Sequence, residues 1–418
     1  MEFYLINWGD NHRLYITIQP VLNVDNLIIL FPNSSFFNTF VNEESISREN
    51  MRYPDSKYLW TITILTIPGR ENYCKQLIES INNTSFKDHL QIAVIYNHKT
   101  TGDIYAIERQ IKSYSINLPL SVYFNSQDTS IVSGRNFQLN VCKSPLICFI
   151  DDDVTLHGDI FPTLENTLRS KAMGILSIRS YKEDTEELFK PHPNTPQLDY
   201  NGIRYAQVQG MLAAGYRNLF LDIGGFNPRR GYWGEWTELN LRMWRSGFPT
   251  GYCMDCGYLR HWHDAPQSPT RNMEGREAHV LWGLLCTALE YDAVEINEDT
   301  ETFWQLIEER YLAYSFGEHL NAKQLLKTTL ELMPRISSEW GQIIAFKAQV
   351  ARHPFHFKPF HRFTADDIKK VLRFSQKNIR PYHAAAWEST LGKPFKPIIN
   401  RPIKKVVQKI KRYFHFHL

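Results

Sequence analysis

The chain has 418 residues, 43% of them apolar, with 47 Lys+Arg against 44 Asp+Glu and a formal charge of +3. These values exclude a disordered or fibrous chain, and one domain is too few for the length while three fit it. The charge is uneven: residues 351–418 hold 16 Lys+Arg and 3 Asp+Glu, a local +13, which leaves −10 on the first 350 and points to an anionic partner for the tail.

Six cysteines, Cys74, Cys142, Cys148, Cys253, Cys256 and Cys286, are scattered along the chain. That distribution reads as reduced thiols and a cytoplasmic setting rather than a disulfide scaffold. Cys253 and Cys256 make a lone CxxC; zinc would need His261 and His263 as well, at a tighter spacing than four-coordinate sites usually have. No charged-then-apolar leader opens the sequence and no apolar run reaches spanning length.

Residues 1–58 read as a small β-rich extension: Phe3–Ile6, Leu14–Ile18 and Leu27–Phe31 are strand-forming runs separated by turn residues. A strand–helix alternation then begins. Thr61–Ile67 is a strand closed by Pro68-Gly69-Arg70, followed by a helix with Tyr73, Leu77, Ile78 and Ile81 on its apolar face. Leu90–Tyr96 is the next strand, ending at Asn97-His98. Ile104, Ile107, Ile111 and Tyr114 mark a second helix, Leu120–Phe124 a third strand, and Ser133-Gly134-Arg135-Asn136 opens a third helix. This order predicts an α/β fold, a mostly parallel sheet with helices on both faces. Ligands of such sheets sit beyond the carboxyl ends of the strands, where Pro68-Gly69-Arg70 and Asn97-His98 both lie.

The fourth strand, Leu146–Ile150, runs into Asp151-Asp152-Asp153. Three adjacent carboxylates cannot be buried unpaired. A hard divalent cation, Mg²⁺ or Mn²⁺, would hold them and commonly shares its shell with substrate phosphates. Alternation puts Asp151 and Asp153 on one side. A helix follows at Ile160–Lys171 and an apolar strand at Gly174–Ile178; Pro191–Pro196 is a loop, and Val208–Ala214 returns as an apolar segment. Gly224-Gly225 permits a tight turn. A helix from Trp236, stopped by Gly247, carries Glu235 near its N-terminus and Glu238 one turn further on. His261 and His263, after a short strand, share one face of an extended segment, and either would add an imidazole to the acids.

Beyond about Thr302 the pattern is helical. Phe303, Leu306, Ile307 and Tyr311 mark one helix; Leu325–Met333 another, closed by Pro334; residues 340–351 a third; and Asp366–Phe374 a fourth. At the end, Ile403, Val406, Val407, Ile410 and Phe414 fall opposite Lys404, Lys405, Lys409, Lys411 and Arg412. This basic amphipathic helix suits an anionic membrane surface, which would make the protein peripheral there. No nucleic-acid motif accompanies the charge. The three regions are 1–58, 59–293 and a helical, basic 294–418.

The ordered set Thr63–Ile67, Ser133–Asn136, Phe149–Asp153, Gly224-Gly-Phe-Asn-Pro228, Trp233-Gly-Glu-Trp-Thr-Glu-Leu239 with Arg242, and His261 resembles glycosyltransferase family 2 of the GT-A fold. Tyr232–Gly247 is also similar to the corresponding stretch of polypeptide N-acetylgalactosaminyltransferases and chondroitin-type polymerases. The resemblance implies a nucleoside-diphosphate sugar donor, usually of uridine, and a glycan, lipid-linked or peptide acceptor. It implies Mn²⁺ or Mg²⁺ on Asp151, Asp153 and His261, or His263 in its place. It puts Thr66, Pro68, Arg70, Asn97, Arg135, Asp152 and Trp233 around the donor. The chain departs from the family twice. Tyr96-Asn97-His98 replaces the usual acid after the second strand, and Trp236 stands where the family has the Asp that acts as base. Glu235 is then the first choice for the base of an inverting transfer, and Glu238 the second. A retaining transfer would need no base there. The alternatives are a nucleotidyltransferase and a catalytically impaired nucleotide-sugar binder.

Overall fold

A computed structural model describes residues 57–99, 102–115, 117–182, 197–231, 234–262, 276–291, 322–359 and 362–391. The N-terminal extension, Trp233, His263, the helix expected at 303–311 and the basic segment at 403–414 lie outside the described residues.

The expected alternation is present: β1 (Trp60–Thr66), α1 (Glu71–Ile81), β2 (Leu90–Asn97), α2 (Ile104–Lys112), β3 (Leu120–Asn125), α3 (Ile131–Val141) and β4 (Leu146–Asp151). β1 and β4 are buried on both faces because helices cover both sides of a parallel sheet. Then come β5 (Val154–His157), α4 (Ile160–Lys171), β6 (Ile175–Lys182), β7 (Gln197–Tyr200), β8 (Ile203–Ala206), β9 (Leu212–Tyr216), α5 (Arg217–Asp222), α6 (Glu235–Arg245), β10 (Thr250–His261) and α7 (Arg276–Glu290). One sheet runs β3-β2-β1-β4-β9-β6-β10-β8-β7, with β5 paired to β10. Most of its strands point one way; β9 runs against β4 and β6, β8 against β10 and β7, and β5 against β10.

The register sets the ligand edge. Leu65 lies level with both Ile95 and Asp151, and Asn97 level with Asn125. The carboxyl ends of four parallel strands therefore open at one height. β10 is longer than the short strand expected there, and it does two jobs. Its first half pairs with β6 and β8; after a register shift between Cys253 and Tyr258, its second half pairs with β6 and β5. Gly257, at φ +86°, sits in that shift, where a Cβ would lie 2.6 Å from the His157 carbonyl. The bulge matters because it brings His261 opposite Val154, next to the acids.

Several elements differ from the sequence reading or are absent from it, α7 and the β7–β8 hairpin among them. Asn201 (φ 51°) and Gly202 (φ 78°) make the two-residue turn of the β7–β8 hairpin. The helix expected to close at Pro334 instead runs from Ala322 to Val350 with the proline inside it. Ile336 and Ile343 bury against Val280, Trp282 and Leu285 of α7, and that apolar contact outweighs the lost backbone hydrogen bond. Two further helices, Ala365–Asn378 and Arg380–Leu391, pack into the same core as the sheet through Ile368, Val371, Tyr382 and Trp387.

Candidate active site

The three acids do not share one environment. Asp151 ends β4 and stays partly exposed, 26% for its side chain, while Asp152 and Asp153 are buried in the turn to β5. Asp152 accepts from the Thr66 hydroxyl at 2.7 Å and from Arg70 at 2.5 Å. The other arm of Arg70 bonds Asp153 Oδ2 at 2.8 Å. Burial lifts the Asp152 carboxyl well above its ordinary value, Asp153 adds to the rise, and Arg70 opposes it. Burial also penalises the Arg70 charge, but Asp152, Asp153 and Asp151 outweigh it and its pKa is raised. Arg70 gets there because Pro68 and Gly69, both exposed, turn the chain; Gly69 has φ +85° and the Arg70 N–H bonds the Ile67 carbonyl.

Asp153 also faces His261, with Nε2 3.5 Å from Oδ1. The Trp262 N–H donates to the Asp153 carbonyl at 2.9 Å and locks this approach. An oxygen and a nitrogen ligand on one small divalent ion stand ~3–3.4 Å apart when each bond is about 2.1 Å. The Asp153–His261 pair stands just beyond that edge in distance and fits it in donor chemistry. Asp151 is instead bonded to Arg135. Among the described residues no three metal-ligating side chains are gathered in one group.

Arg135 is held by the Ser-Gly-Arg-Asn motif. Gly134 lets α3 lie against the strand ends; a Cβ there would fall 2.7 Å from Leu65 and 3.2 Å from the Asn97 amide. Asn136 clamps the Gly-Gly-Phe turn from both sides, donating to the Phe226 carbonyl and accepting its N–H, each at 2.9 Å. Asn97 is buried and committed: its amide donates to Thr129 O at 2.9 Å, and its carbonyl accepts from Asn125 at 2.7 Å. Thr66, Asn97 and Asp152 thus form the floor beneath the loops.

On α6 the two glutamates part company. Glu235 is half-buried in the first turn, after Gly234 at φ +80°. Glu238 is fully buried: both its oxygens take Arg242, at 2.9 and 2.8 Å, and the Tyr291 hydroxyl bonds it too. Arg242 continues to the carbonyls of Ile223 and Gly225. Glu238 is a brace between α6, α7 and the glycine turn, and it is spent on that duty. Trp236 packs edge-on against Phe149 and Phe226, at 5.6 and 4.9 Å, with the Arg135 guanidinium 5.7 Å from its ring. α6 therefore starts beside the arginine that holds Asp151. Sequence reasoning missed a second buried brace, Glu290 with Arg229 and Arg230, for which the adjacent arginines after Gly224-Gly225-Phe226-Asn227-Pro228 were the only signal.

Residues 63–224 match the family model of glycosyl transferase family 2. That span is glycosyltransferase family 2-like. It contains the Thr66 floor and the acids and ends at Gly224, the first residue of the glycine turn; the mostly parallel sheet of the chain, flanked by helices, agrees with the GT-A arrangement expected above. No curated protein matches the chain. Among solved structures, GalNAc-T7 with UDP, GalNAc and Mn²⁺ is 12% identical over 68% of this chain, at a TM-score of 0.43, and the match spans 58% of that protein's length. The mannosyltransferase PcManGT from Pyrobaculum calidifontis, in complex with GDP-Man and Mn²⁺, is 15% identical over 82% of this chain and 90% of its own, TM-score 0.42. S. aureus TarS 1-349 is 13% identical over 81% and 93%, TM-score 0.43. Likenesses this distant carry no weight beyond the family match.

Proposed function

We propose that the protein is a metal-dependent glycosyltransferase that moves a sugar from a nucleoside-diphosphate sugar to a hydroxyl acceptor. The observation that carries this reading is the meeting of Asp153, inside the family 2-like span, with His261, beyond its end, at 3.5 Å, at the strand edge where Asp151 and Arg135 also lie. Asp153 and His261 would hold Mn²⁺ or Mg²⁺, with Asp151 at the open side. The ion would neutralise charge on the departing diphosphate.

The chain's own residues supply the rest. Arg135 is a buried cation at the rim and suits a phosphate oxygen or the carboxylate it now holds. Glu235 is the carboxylate left to take the acceptor proton, since Glu238 is saturated and Trp236 is packed. As the acceptor oxygen attacks the anomeric carbon, its proton passes to Glu235 and the bond to the diphosphate breaks. The observation favouring a retaining course instead is that same packing of Trp236 where the family has a carboxylate. The anomeric configuration of the product separates the two.

The test is product analysis of the full chain with UDP- and GDP-sugars and Mn²⁺. Nucleoside diphosphate release supports transfer, pyrophosphate release would make it a nucleotidyltransferase, and neither product with any donor overturns the reading. Glu235→Gln is expected to retain donor binding and lose at least about a hundredfold in turnover. Full turnover in that variant removes Glu235 from the mechanism.

A further inference from the structure

A cleft of about 960 Å³ lies beside the acid turn, between α1 and the β5–β10 pair. Its walls are Tyr73, Gln76 and Asn83 from the α1 side and His157, Arg260 and Trp262 from the strands. Trp262 ties this wall to the acids: its backbone N–H is the donor to the Asp153 carbonyl. Tyr73, Gln76, Ser80 and Asn83 recur at three- and four-residue steps, so one face of α1 and its C-terminal turn lines the cleft end to end. From Asn72 to Asn83 that face is about 16 Å long, the length of an extended chain rather than of one small molecule. Ser80 fixes the depth by accepting the Leu156 N–H at 3.1 Å.

We propose that this cleft binds an oligosaccharide, the acceptor chain of the transfer reaction, with the sugar to be extended at the Asp153 end. As an acceptor site it rests on the transfer reading above. The lining chemistry selects this ligand. Exposed amides such as Gln76 and Asn83 both donate and accept, as sugar hydroxyls do. Tyr73 and Trp262 are half-buried and offer apolar faces with polar tips to the C–H face of a ring. The charge is balanced rather than basic. Arg260 is the guanidinium, stacked 5.5 Å from the Tyr258 ring, and the Asp159 carboxylate opposes it while holding Thr84 at 2.5 Å. His157 stacks on Tyr258 at 4.7 Å, and burial together with Arg260 lowers its pKa, which favours the neutral imidazole. A polyphosphate or nucleic acid would demand several cations here; a weakly charged, hydroxyl-rich chain does not.

The test uses the full chain and three oligosaccharide ladders of increasing length: β-linked N-acetylglucosamine, β-linked glucose and α-linked mannose. Saturation-transfer NMR and calorimetry read binding, alongside UDP and GDP binding with Mn²⁺. Binding of at least one ladder, tightening with length, is expected. Tyr73→Ala should weaken it at least tenfold, and so should Gln76→Lys, an exposed replacement that keeps the helix intact and fills the cleft. Nucleotide binding should stay unchanged in both. If no ladder binds, or if both folded variants bind as tightly as the parent, the cleft assignment is overturned. Oligosaccharide binding without binding of any nucleotide would instead overturn the transfer reading and leave the cleft standing.

Discussion

At the scale of single residues, the site is built on neutralising one another's charge. Arg70 bridges Asp152 and Asp153, which are 1% and 2% exposed, and no water reaches them to share the load. Removing one partner of a buried pair costs about 3–5 kcal/mol because the other charge is stranded. Arg70→Met should therefore destabilise by that amount in urea titration, while Arg70→Met with Asp152→Asn recovers a large part. Equal losses in single and double variants would show that Arg70 stabilises by packing alone. The acidic triplet was legible in the sequence because its chemistry is local, while Arg135 was singled out only through the family resemblance. Who pairs with whom was not. Alternation put Asp151 and Asp153 on one side, but the turn after β4 sends Asp153 to Arg70 and His261 while Asp151 meets Arg135. Glu238 was a candidate base by its place in the motif. Its burial depends on Tyr291, 53 residues away, which no spacing rule can see.

At the scale of elements, periodicity worked where one element faces one core. Apart from β5, which the pattern did not show, the strands and helices from 60 to 171 stand within a residue or two of their expected places, because each alternates between sheet and cover. It failed where tertiary contact overrides a local rule. Pro334 is the clearest case, an exposed proline inside a 29-residue helix. It removes one backbone donor and crowds the preceding turn, so Pro334→Ala should raise stability by about 1–3 kcal/mol; an unchanged or lower melting midpoint would mean that the proline shapes a bend the packing needs. The helix Arg380–Leu391 was missed as well, yet it docks firmly. The Tyr382 hydroxyl reaches Asp222 at 2.6 Å, and the Trp387 indole reaches Glu165 at 2.7 Å. His383 sits between them, 4% exposed and 5.0 Å from the Tyr216 ring. Burial, then Arg169 and Arg380, lower its pKa to about 3. The unfolded chain takes up a proton there below about pH 6.5, the folded chain only near 3, so stability falls as pH drops through that window. Between about pH 7 and pH 5 the loss from this residue is about 2 kcal/mol. His383→Phe should flatten that limb of the stability curve; an unaltered slope would place the acid sensitivity elsewhere.

At the scale of the whole molecule, the C-terminal third divides by function rather than by position. Phe363, Ile368, Val371, Tyr382 and Trp387 belong to the same apolar core as the strands that carry the acids. Gly247, at φ +88°, marks how close that packing is: a Cβ there would lie 2.2 Å from Phe374. Residues 365–391 are thus part of what holds the sheet, and a chain lacking residues 363–418 should lose cooperative unfolding. The last stretch has a different character. Its apolar positions Ile403, Val406, Val407, Ile410 and Phe414 alternate with five cations, and among the described residues no helix is long and apolar enough to cross a membrane. Residues 392–418 carry eight Lys+Arg and no Asp or Glu, +8 against −5 on the first 391, so attraction to an anionic bilayer would orient the body away from the surface by repulsion. Removing residues 400–418 should leave the melting midpoint in place and abolish flotation with phosphatidylglycerol vesicles, while phosphatidylcholine vesicles bind neither form. The interaction should weaken as salt shortens the screening length from about 10 Å at 0.1 M. Equal flotation of the full and shortened chains, or binding indifferent to salt and lipid charge, would assign the basic face to another partner and leave the acceptor to be met in solution.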